Sequence, residues 1–307
     1  MTRVLITPRS FGKMDPSLFE RMEALGWELV RNPFGTILNE AQLIELIADC
    51  DGMIAGVDPI TADVLRAAPR LKAIARYGVG TDNVDLDYCR EHQIAVSRTL
   101  GANTEAVADY TFALIMAVAR KLVQIDRQCR AGNWQKMISG DVYGKTLGLV
   151  GLGAIGQAVA RRAQGFSMKI LAFDVQWDAR WAEDHQVERA SLETLYRQSD
   201  FISLHVPLLP ETRMMIGEKE LAMFRPGSVL INTARGGLID ESALLAALQS
   251  GHLAGAGLDA FEKEPPENPL WFSLPQVVLG SHTAASTELA AREMGRMALD
   301  NLIRDLA

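Results

Sequence analysis

Short apolar runs alternate with amphipathic segments along the first hundred residues of the chain. The apolar runs are bounded by polar or turn residues, and they predict buried strands at 4–7, 53–56, 72–75 and 94–96. The segments between them keep apolar residues three and four positions apart, and they predict helices at 16–25, 40–48 and 61–68. Alternation of this kind is typical of a parallel sheet with helices on both faces.

A long segment with helical spacing follows at 104–129, and a second alternating series begins after it. This series predicts six further strands, at 146–150, 170–173, 201–206, 229–232, 255–258 and 277–279. Six strands joined by helical crossovers are what a dinucleotide-binding domain requires. The pattern therefore predicts an α/β protein with two Rossmann-like domains, each built on a doubly wound parallel sheet.

The last segment, 287–306, is amphipathic and helical, and no strand of its own lies near it in the sequence. We expect it to pack on the N-terminal sheet, which makes the first domain discontinuous and flavodoxin-like. The predicted boundaries are 1–98 with 284–307 for this first domain, and 99–283 for the second domain.

Composition excludes several classes of protein. The 307 residues are 48% hydrophobic and 22% charged, which is typical of a globular protein with a sizeable core. No apolar run approaches the ~18 residues of a membrane helix, and the N-terminal run is too short for a signal peptide, so we expect no membrane association and a cytoplasmic location. The net charge is −7 with scattered basic residues, which argues against nucleic acid as a partner. The three cysteines share no metal-ligand spacing, so we expect reduced thiols and no metal site.

A glycine fingerprint, G-L-G-A-I-G at 151–156, follows a predicted strand and precedes a predicted helix. In this context Gly151 permits a tight turn, Gly153 lets the backbone approach a pyrophosphate, and Gly156 allows close packing of helix on strand. Ala154 and Ile155 start the helix whose free N–H groups would bind the pyrophosphate. The alternative is a purely structural glycine turn.

An acidic residue, Asp174, ends the next predicted strand, where a dinucleotide-binding domain places the carboxylate that binds the adenosine ribose hydroxyls. Neither Val175 nor Gln176 brings a positive charge for a 2′-phosphate. The sequence therefore favours NAD over NADP as the cofactor, and the alternative is a solvated aspartate.

Three polar residues follow strands of the second series, at the edge where open parallel sheets bind their ligands: Arg235, Glu264 and His282. An arginine offers paired donors to a carboxylate. A histidine exchanges protons near neutral pH, and an adjacent carboxylate favours its charged form. These are the groups that an oxidoreductase acting on hydroxy acids needs. The alternative for His282 is a buried histidine with satisfied hydrogen bonds.

Several motifs in the right order resemble the D-isomer-specific 2-hydroxyacid dehydrogenase family. The resemblance extends from about residue 52 to 287 and is strongest to the phosphoglycerate dehydrogenase and glyoxylate/hydroxypyruvate reductase branches. The matching stretches are Y-G-V-G-T-D-N-V-D at 77–85, the glycine fingerprint, N-T-A-R-G-G at 232–237, and G-L-D-A-F-E at 257–262 leading into Glu264-Pro265.

The resemblance implies an NAD-dependent enzyme that moves a hydride between nicotinamide and C2 of a small D-2-hydroxy acid. It implies that His282 is the general acid/base, that Glu264 is its partner, and that Arg235 binds the substrate carboxylate or keto oxygen. It further implies that the first domain binds substrate, that the second binds NAD, and that the protein is a homodimer. The dimer contacts would come from the helix after Asn103 and from residues 133–134.

Further contacts are implied by the same resemblance. The cofactor residues would include Val206, Pro207, Thr233 and Asp259. Backbone N–H groups of Gly78, Val79 and Gly80 would form a nest for the substrate carboxylate, although an ordinary turn is the alternative. Arg76 matches an arginine that contacts anionic substrate, with a surface arginine as the alternative.

Two positions depart from the family pattern. Ser281 stands where proline commonly precedes the catalytic histidine. The stretch Ile54-Ala55-Gly56 lacks the arginine that binds phosphate in the phosphoglycerate branch, which weakens 3-phosphoglycerate relative to glyoxylate or hydroxypyruvate. Other functions on the same fold remain open, namely an NAD(H)-sensing, corepressor-like interaction protein and a dehydrogenase for formate or phosphite.

Overall fold

The structure is a computed structural model that describes all 307 residues. The chain divides into two compact units, Met1–Asn103 with Ser286–Ala307, and Thr104–Ala285. The sequence predicted these divisions after residues 98 and 283. The chain leaves the first unit once and returns to it with its last helix, so the first unit is discontinuous.

The first unit is a five-stranded parallel sheet with helices. Its strands are β1 (Arg3–Ile6), β2 (Glu28–Arg31), β3 (Gly52–Ala55), β4 (Ala73–Arg76) and β5 (Ala95–Arg98). Its helices before the second unit are α1 (Ser17–Ala24), α2 (Glu40–Ile47), α3 (Ala62–Arg66) and α4 (Leu86–Glu91). The strand order β2-β1-β3-β4-β5 is the flavodoxin-like order, which confirms the predicted fold.

The second unit is a seven-stranded parallel sheet. Its strands are β6 (Thr146–Val150), β7 (Lys169–Phe173), β8 (Val187–Arg189), β9 (Phe201–Leu204), β10 (Val229–Asn232), β11 (Gly255–Leu258) and β12 (Val277–Leu279). Its helices are α5 (Thr104–Ala119), α6 (Leu122–Arg130), α7 (Ala154–Gln164), α8 (Ala179–Asp184), α9 (Leu192–Gln198), α10 (Glu218–Met223), α11 (Glu241–Gln249) and α12 (Leu270–Ser273), with a 3-10 turn at Gly236–Leu238. The order β12-β11-β10-β9-β6-β7-β8 contains the doubly wound dinucleotide-binding arrangement, so this prediction is also confirmed.

Two details of the second unit differ from the sequence prediction. The predicted helix at 104–129 is two helices, because Lys121 adopts the left-handed conformation with φ of 53° and ends the hydrogen-bond ladder between α5 and α6. Neither glycine nor proline marks this position. The sheet also has seven strands rather than six. The additional strand, β8, is three residues long and lies at the sheet edge, so it leaves no apolar run in the sequence.

The second sheet is buried on both faces. Leu149 and Ile231 belong to the core cluster on one face, under α5 and α7. Their chain neighbours Val150 and Leu230 belong to the cluster on the opposite face, under α9 to α11. Successive residues of a strand point to opposite faces, so continuous apolar runs are what such strands require. No helix of the structure is long and apolar enough to cross a membrane.

The last helix, α13 (Glu288–Leu306), packs on β3, β4 and β5 of the first sheet. Leu302 is fully buried in this contact. A Cβ atom on Gly52 would lie 2.9 Å from Cδ1 of Leu306 and 3.2 Å from Cδ1 of Leu302. The glycine at the start of β3 therefore allows the helix to approach the sheet closely.

We expect Leu302→Ala to lower the free energy of unfolding of the first unit by about 3 kcal/mol, because it removes a buried side chain and leaves a cavity. Leu289→Ala, on the same helix but 69% exposed, is the control and should change the value by less than about 0.5 kcal/mol. Urea denaturation of the two variants measures the difference. Equal effects would contradict the packing described for α13.

Candidate active site

Three neighbouring strands of the second sheet deliver the predicted catalytic side chains. Arg235 follows β10, Glu264 follows β11 and His282 follows β12, and these strands lie side by side in parallel. The loops after parallel strands leave the same edge of the sheet. The topology thus gathers three side chains that are as many as 47 positions apart in the sequence.

Glu264 and His282 form a hydrogen-bonded pair. The Nδ1 atom of His282 lies 2.9 Å from both carboxylate oxygens of Glu264. The backbone N–H of Phe261 donates to Oε1 of the same carboxylate at 3.1 Å. Burial alone would raise the pKa of Glu264, but the hydrogen bond and charge of His282, the Phe261 N–H and the charge of Arg235 lower it below its usual value. The carboxylate therefore stays ionised at the near-neutral pH where a histidine exchanges protons.

The loop that carries His282 is held by Asp259, a buried residue at the end of β11. The N–H of His282 donates to the carbonyl of Asp259 at 2.9 Å. The carboxylate of Asp259 accepts the N–H groups of Thr283 at 3.0 Å and Ala284 at 2.8 Å. His282 has a left-handed backbone, with φ of 55°. This conformation costs a non-glycine residue roughly 1–2 kcal/mol. The three hydrogen bonds to Asp259 offset that cost.

This contact gives Asp259 a role that the sequence did not predict. The residue is 1% exposed, and burial raises its pKa although the two N–H groups act in the opposite direction. Both carboxylate oxygens are engaged by the loop after β12. Asp259 thus fixes the backbone of the loop that carries His282.

A second buried polar side chain, Asn232, fixes the turn that carries Arg235. Its Nδ2 donates to the Arg235 carbonyl at 2.8 Å, and its Oδ1 accepts the N–H of Ala234 at 3.0 Å. The guanidinium of Arg235 donates to the Ala234 carbonyl at 2.8 Å. The hydroxyl of Thr233 lies 3.0 Å from that of Thr111. No signal in the sequence predicted this role of Asn232, although a fully buried asparagine at a strand end needs partners of this kind.

The glycine fingerprint has the geometry that a bound dinucleotide needs. Gly151 follows β6 with φ of 102°, which favours glycine. A Cβ on Gly156 would lie 2.2 Å from the carbonyl oxygen of Gly151, so helix and strand are in close contact here. A Cβ on Gly153 would meet no atom within 4 Å. Gly153 caps α7, so the open space lies at a helix N-terminus, where a pyrophosphate fits.

The carboxylate of Asp174 is held beside this turn. Its Oδ2 accepts the N–H of Leu152 at 2.6 Å, and its Oδ1 accepts that of Gln176 at 2.8 Å. Both bonds fix the position of the negative charge at the end of β7. No cation follows it, since Val175 is 86% exposed and apolar.

Val206 and Pro207 follow β9, the strand beside β6 at the point where the strand order reverses. Cγ1 of Val206 would lie 3.0 Å from a Cβ on Gly151, so it lines the glycine turn. His205 precedes them, and its Nε2 lies 2.9 Å from the hydroxyl of Ser203. Burial lowers the pKa of His205 to about 4, so its imidazole is neutral.

The predicted substrate residues lie in the first unit, at the end of β4. Arg76 is 4% exposed, which contradicts the alternative of a surface arginine, and its guanidinium donates to the carbonyls of Ala55 and Tyr77 at 3.1 and 2.8 Å. The N–H of Gly78 donates to the Arg76 carbonyl at 2.9 Å. An anion nest in this turn therefore depends on Val79 and Gly80. The structure contains no group of three histidine, cysteine or acidic side chains arranged to hold a metal.

We expect Asp174→Ala to weaken NAD binding and to reduce the preference for NAD over NADP. Loss of hydrogen bonds to the ribose, worth roughly 1–3 kcal/mol, weakens NAD binding, and loss of the negative charge removes repulsion of the 2′-phosphate. Titration with both cofactors measures the ratio. Asp178→Ala is the control, since Asp178 caps α8 nearby. An unchanged ratio in Asp174→Ala would show that another group selects the cofactor.

Comparison with known proteins agrees with this geometry. A family model described as the D-isomer-specific 2-hydroxyacid dehydrogenase NAD-binding domain matches residues 112–284, more than half of the chain. The chain is 46% identical over 270 residues to a glyoxylate reductase of Korarchaeum cryptofilum, covering 85% of this chain and 81% of that protein. It is 40% identical over 275 residues to a hydroxypyruvate reductase of Thermotoga maritima, covering 88% and 89% of the two chains.

A solved structure is similar over nearly the whole chain. D-lactate dehydrogenase of Aquifex aeolicus, solved with NAD and lactic acid, superposes with a TM-score of 0.86 at 29% identity and covers 97% of this chain and 93% of its own. The topology, the family model and the relatives agree. The chain belongs to the family of D-isomer-specific 2-hydroxyacid dehydrogenases, enzymes that use NAD as their cofactor.

Proposed function

We propose that this protein catalyses hydride transfer between NAD and C2 of a small D-2-hydroxy acid or the corresponding 2-keto acid. The observation that carries the proposal is the pair of hydrogen bonds, 2.9 Å each, between Nδ1 of His282 and the carboxylate of Glu264. Arg235 follows the strand next to that of Glu264. An acid/base group, its anionic partner and a cation for the substrate thus come together at one sheet edge.

The residues divide the chemistry of keto-acid reduction in the following way. NAD, when bound in its reduced form, supplies the hydride. His282 donates the proton to the keto oxygen from Nε2, because Glu264 accepts the hydrogen bond of Nδ1. Glu264 is ionised, and it stabilises the imidazolium before the transfer. Arg235 binds the substrate carboxylate or keto oxygen through its paired donors. In oxidation of the hydroxy acid, the neutral imidazole takes the proton instead.

The cofactor contacts belong to the second unit. Gly151, Gly153 and Gly156, with Ala154 and Ile155, would bind the pyrophosphate at the N-terminus of α7, and Asp174 would bind the adenosine ribose. Val206 and Pro207 would line the adenine pocket. Thr233 and Asp259 would contact the cofactor from the ends of β10 and β11. The open space at Gly153 supports the pyrophosphate position.

We favour glyoxylate or hydroxypyruvate as the keto acid. Relatives that match most of the chain are named glyoxylate reductase and hydroxypyruvate reductase. In addition, β3 ends in Ala55 and offers no arginine to bind a phosphate, which argues against 3-phosphoglycerate. The N–H groups of Val79 and Gly80 would bind the substrate carboxylate. Arg76 would add positive charge at the same turn, because its Nη1 would lie 3.1 Å from a Cβ atom placed on Gly78.

We also propose that the protein is a homodimer joined through its second unit. An open pocket of about 410 Å³ lies between α5 and α7. It is lined by Asp109, Phe112, Ala113 and Met116 of α5, by Arg162 of α7, and by Phe166, which follows α7. The segment after α6 exposes Trp134 and Ile138, at 85% and 92%. Exposed apolar side chains and an apolar pocket on the same unit are typical of a protein that forms an interface between identical subunits.

The proposed reaction is tested by NADH oxidation with glyoxylate, hydroxypyruvate, pyruvate and 3-phosphoglycerate. We expect the first two to be reduced fastest. His282→Ala should lower turnover roughly 10²–10⁴-fold, the usual contribution of a general acid/base, with NADH binding retained.

The pH profile separates the role of Glu264 from that of His282. Reduction needs the protonated imidazole and therefore declines as pH rises. Glu264→Gln removes the charge that stabilises the imidazolium, so the declining limb should move to lower pH. Turnover of His282→Ala close to wild type would contradict the acid/base assignment. No turnover of any keto acid by a wild-type protein that binds NADH would favour the NAD(H)-sensing alternative.

The dimer is tested by light scattering after size-exclusion chromatography. We expect wild-type protein at twice the mass of one chain, and Met116→Arg at the mass of one chain, because a charge in the apolar pocket destabilises the interface. Leu289→Arg, on an exposed position of the first unit, is the control and should stay dimeric. A monomeric wild-type protein would refute the proposed dimer, and it would not affect the proposed reaction.

A further inference from the structure

The loop that carries Glu264 is hydrogen-bonded to the side chain of Glu241, the first residue of α11. The backbone N–H of Glu262 donates to Oε1 of Glu241 at 2.6 Å. The indole N–H of Trp271 donates to Oε2 of the same carboxylate at 3.4 Å. One side chain thus binds both the loop after β11 and the helix α12 that follows it.

A continuous set of contacts leads from this carboxylate to the proposed catalytic pair. Trp271 is 1% exposed, and its ring meets that of Phe261 edge-on, with centroids 5.9 Å apart. The N–H of Phe261 donates to Oε1 of Glu264 at 3.1 Å. Glu241 is therefore connected to Glu264 both through the Glu262 backbone and through Trp271 and Phe261.

The same loop is in backbone contact with the turn that carries Arg235. A Cβ on Gly236 would lie 1.9 Å from the carbonyl carbon of Phe261 and 2.2 Å from the nitrogen of Glu262. No side chain fits between the two segments. On this side the loop has no room to move, so Glu241 and Gly236 together define its position.

We propose that Glu241 is a positioning residue that holds the Glu262 backbone so that the Glu264 carboxylate keeps its hydrogen bonds to His282. This inference rests on the function proposed above. If Glu241 is removed, the Glu262 N–H and the indole N–H of the buried Trp271 lose their acceptor, and the loop is no longer held in one position. A displacement of about 1 Å in a catalytic constellation is enough to lower turnover on the order of 100-fold.

A purely structural role for Glu241 makes a different prediction. An acidic residue in the first turn of a helix interacts favourably with the helix dipole wherever the helix lies. Glu218 occupies the equivalent first position of α10, is exposed, and lies on a different loop of the same unit. Glu218→Ala therefore removes the same dipole interaction without touching the Glu264 loop, and it is the matched control.

The test is a double-mutant cycle in the full-length protein, with NADH and whichever of glyoxylate and hydroxypyruvate is reduced faster. We expect Glu241→Ala to lower kcat about 10-fold to 100-fold with the KM for NADH unchanged. In the Glu264→Gln background the same change should lower kcat less than about 2-fold, because the group through which Glu241 acts is already absent. Glu218→Ala should leave kcat unchanged in both backgrounds.

Glu241→Gln keeps one acceptor oxygen for the Glu262 N–H and should recover most of the lost turnover. It also replaces the alanine variant in the cycle if that variant does not fold, with an expected loss of about 2-fold to 5-fold in the wild-type background only. Wild-type kcat in the folded Glu241 variants, or equal losses in both backgrounds, would overturn the inference. Wild-type turnover in Glu264→Gln and His282→Ala would instead overturn the proposed function, so the two failures are distinguishable.

Discussion

The parallel arrangement of the second sheet is the constraint on which the rest of this molecule depends. Every strand of that sheet runs in one direction, so every loop that follows a strand leaves the same edge. The glycine turn after β6 and the loops that carry Arg235, Glu264 and His282 are brought together by this rule rather than by proximity in the chain. Apolar burial on both faces holds the strands, and the edge is left for chemistry.

A sheet edge brings side chains near one another, but it does not fix them. Two buried polar residues do this here. Asn232 hydrogen-bonds the turn before Arg235, and Asp259 hydrogen-bonds the loop around His282. A buried polar group whose bonds are all made specifies one backbone arrangement, because any other leaves it unsatisfied. The charges of the site also balance, because the Glu264 carboxylate interacts with the guanidinium of Arg235 and the imidazole of His282.

Much of this organisation could be predicted from the sequence. Apolar runs located ten of the twelve strands, the fingerprint located the glycine turn after β6, and the polar residues after β10 to β12 indicated the three side chains that the fold brings to one sheet edge. The two remaining strands, β2 and β8, lie at sheet edges and carry charged residues, so hydrophobic periodicity does not mark them. The break at Lys121 depends on a backbone conformation that its residue type does not indicate.

The supporting contacts of the site could not be predicted for a related reason. Asp259 and Glu241 act on backbone N–H groups that are distant in sequence, and no residue pattern reports which N–H a carboxylate will meet in space. Gly78 differs, because its contact is local: its N–H donates to the Arg76 carbonyl rather than remaining available to an anion, and the glycine motif does not indicate this. Sequence motifs thus indicate the proposed reacting groups more readily than the residues that position them.

The proposed function requires that a hydride passes between the cofactor and C2 of a D-configured hydroxy acid. Reduction of hydroxypyruvate with NADH carrying deuterium at both C4 positions tests it directly, with the product analysed by mass spectrometry and chiral chromatography. We expect glycerate of the D configuration with one deuterium on C2. Unlabelled product, or glycerate of the L configuration, would contradict it.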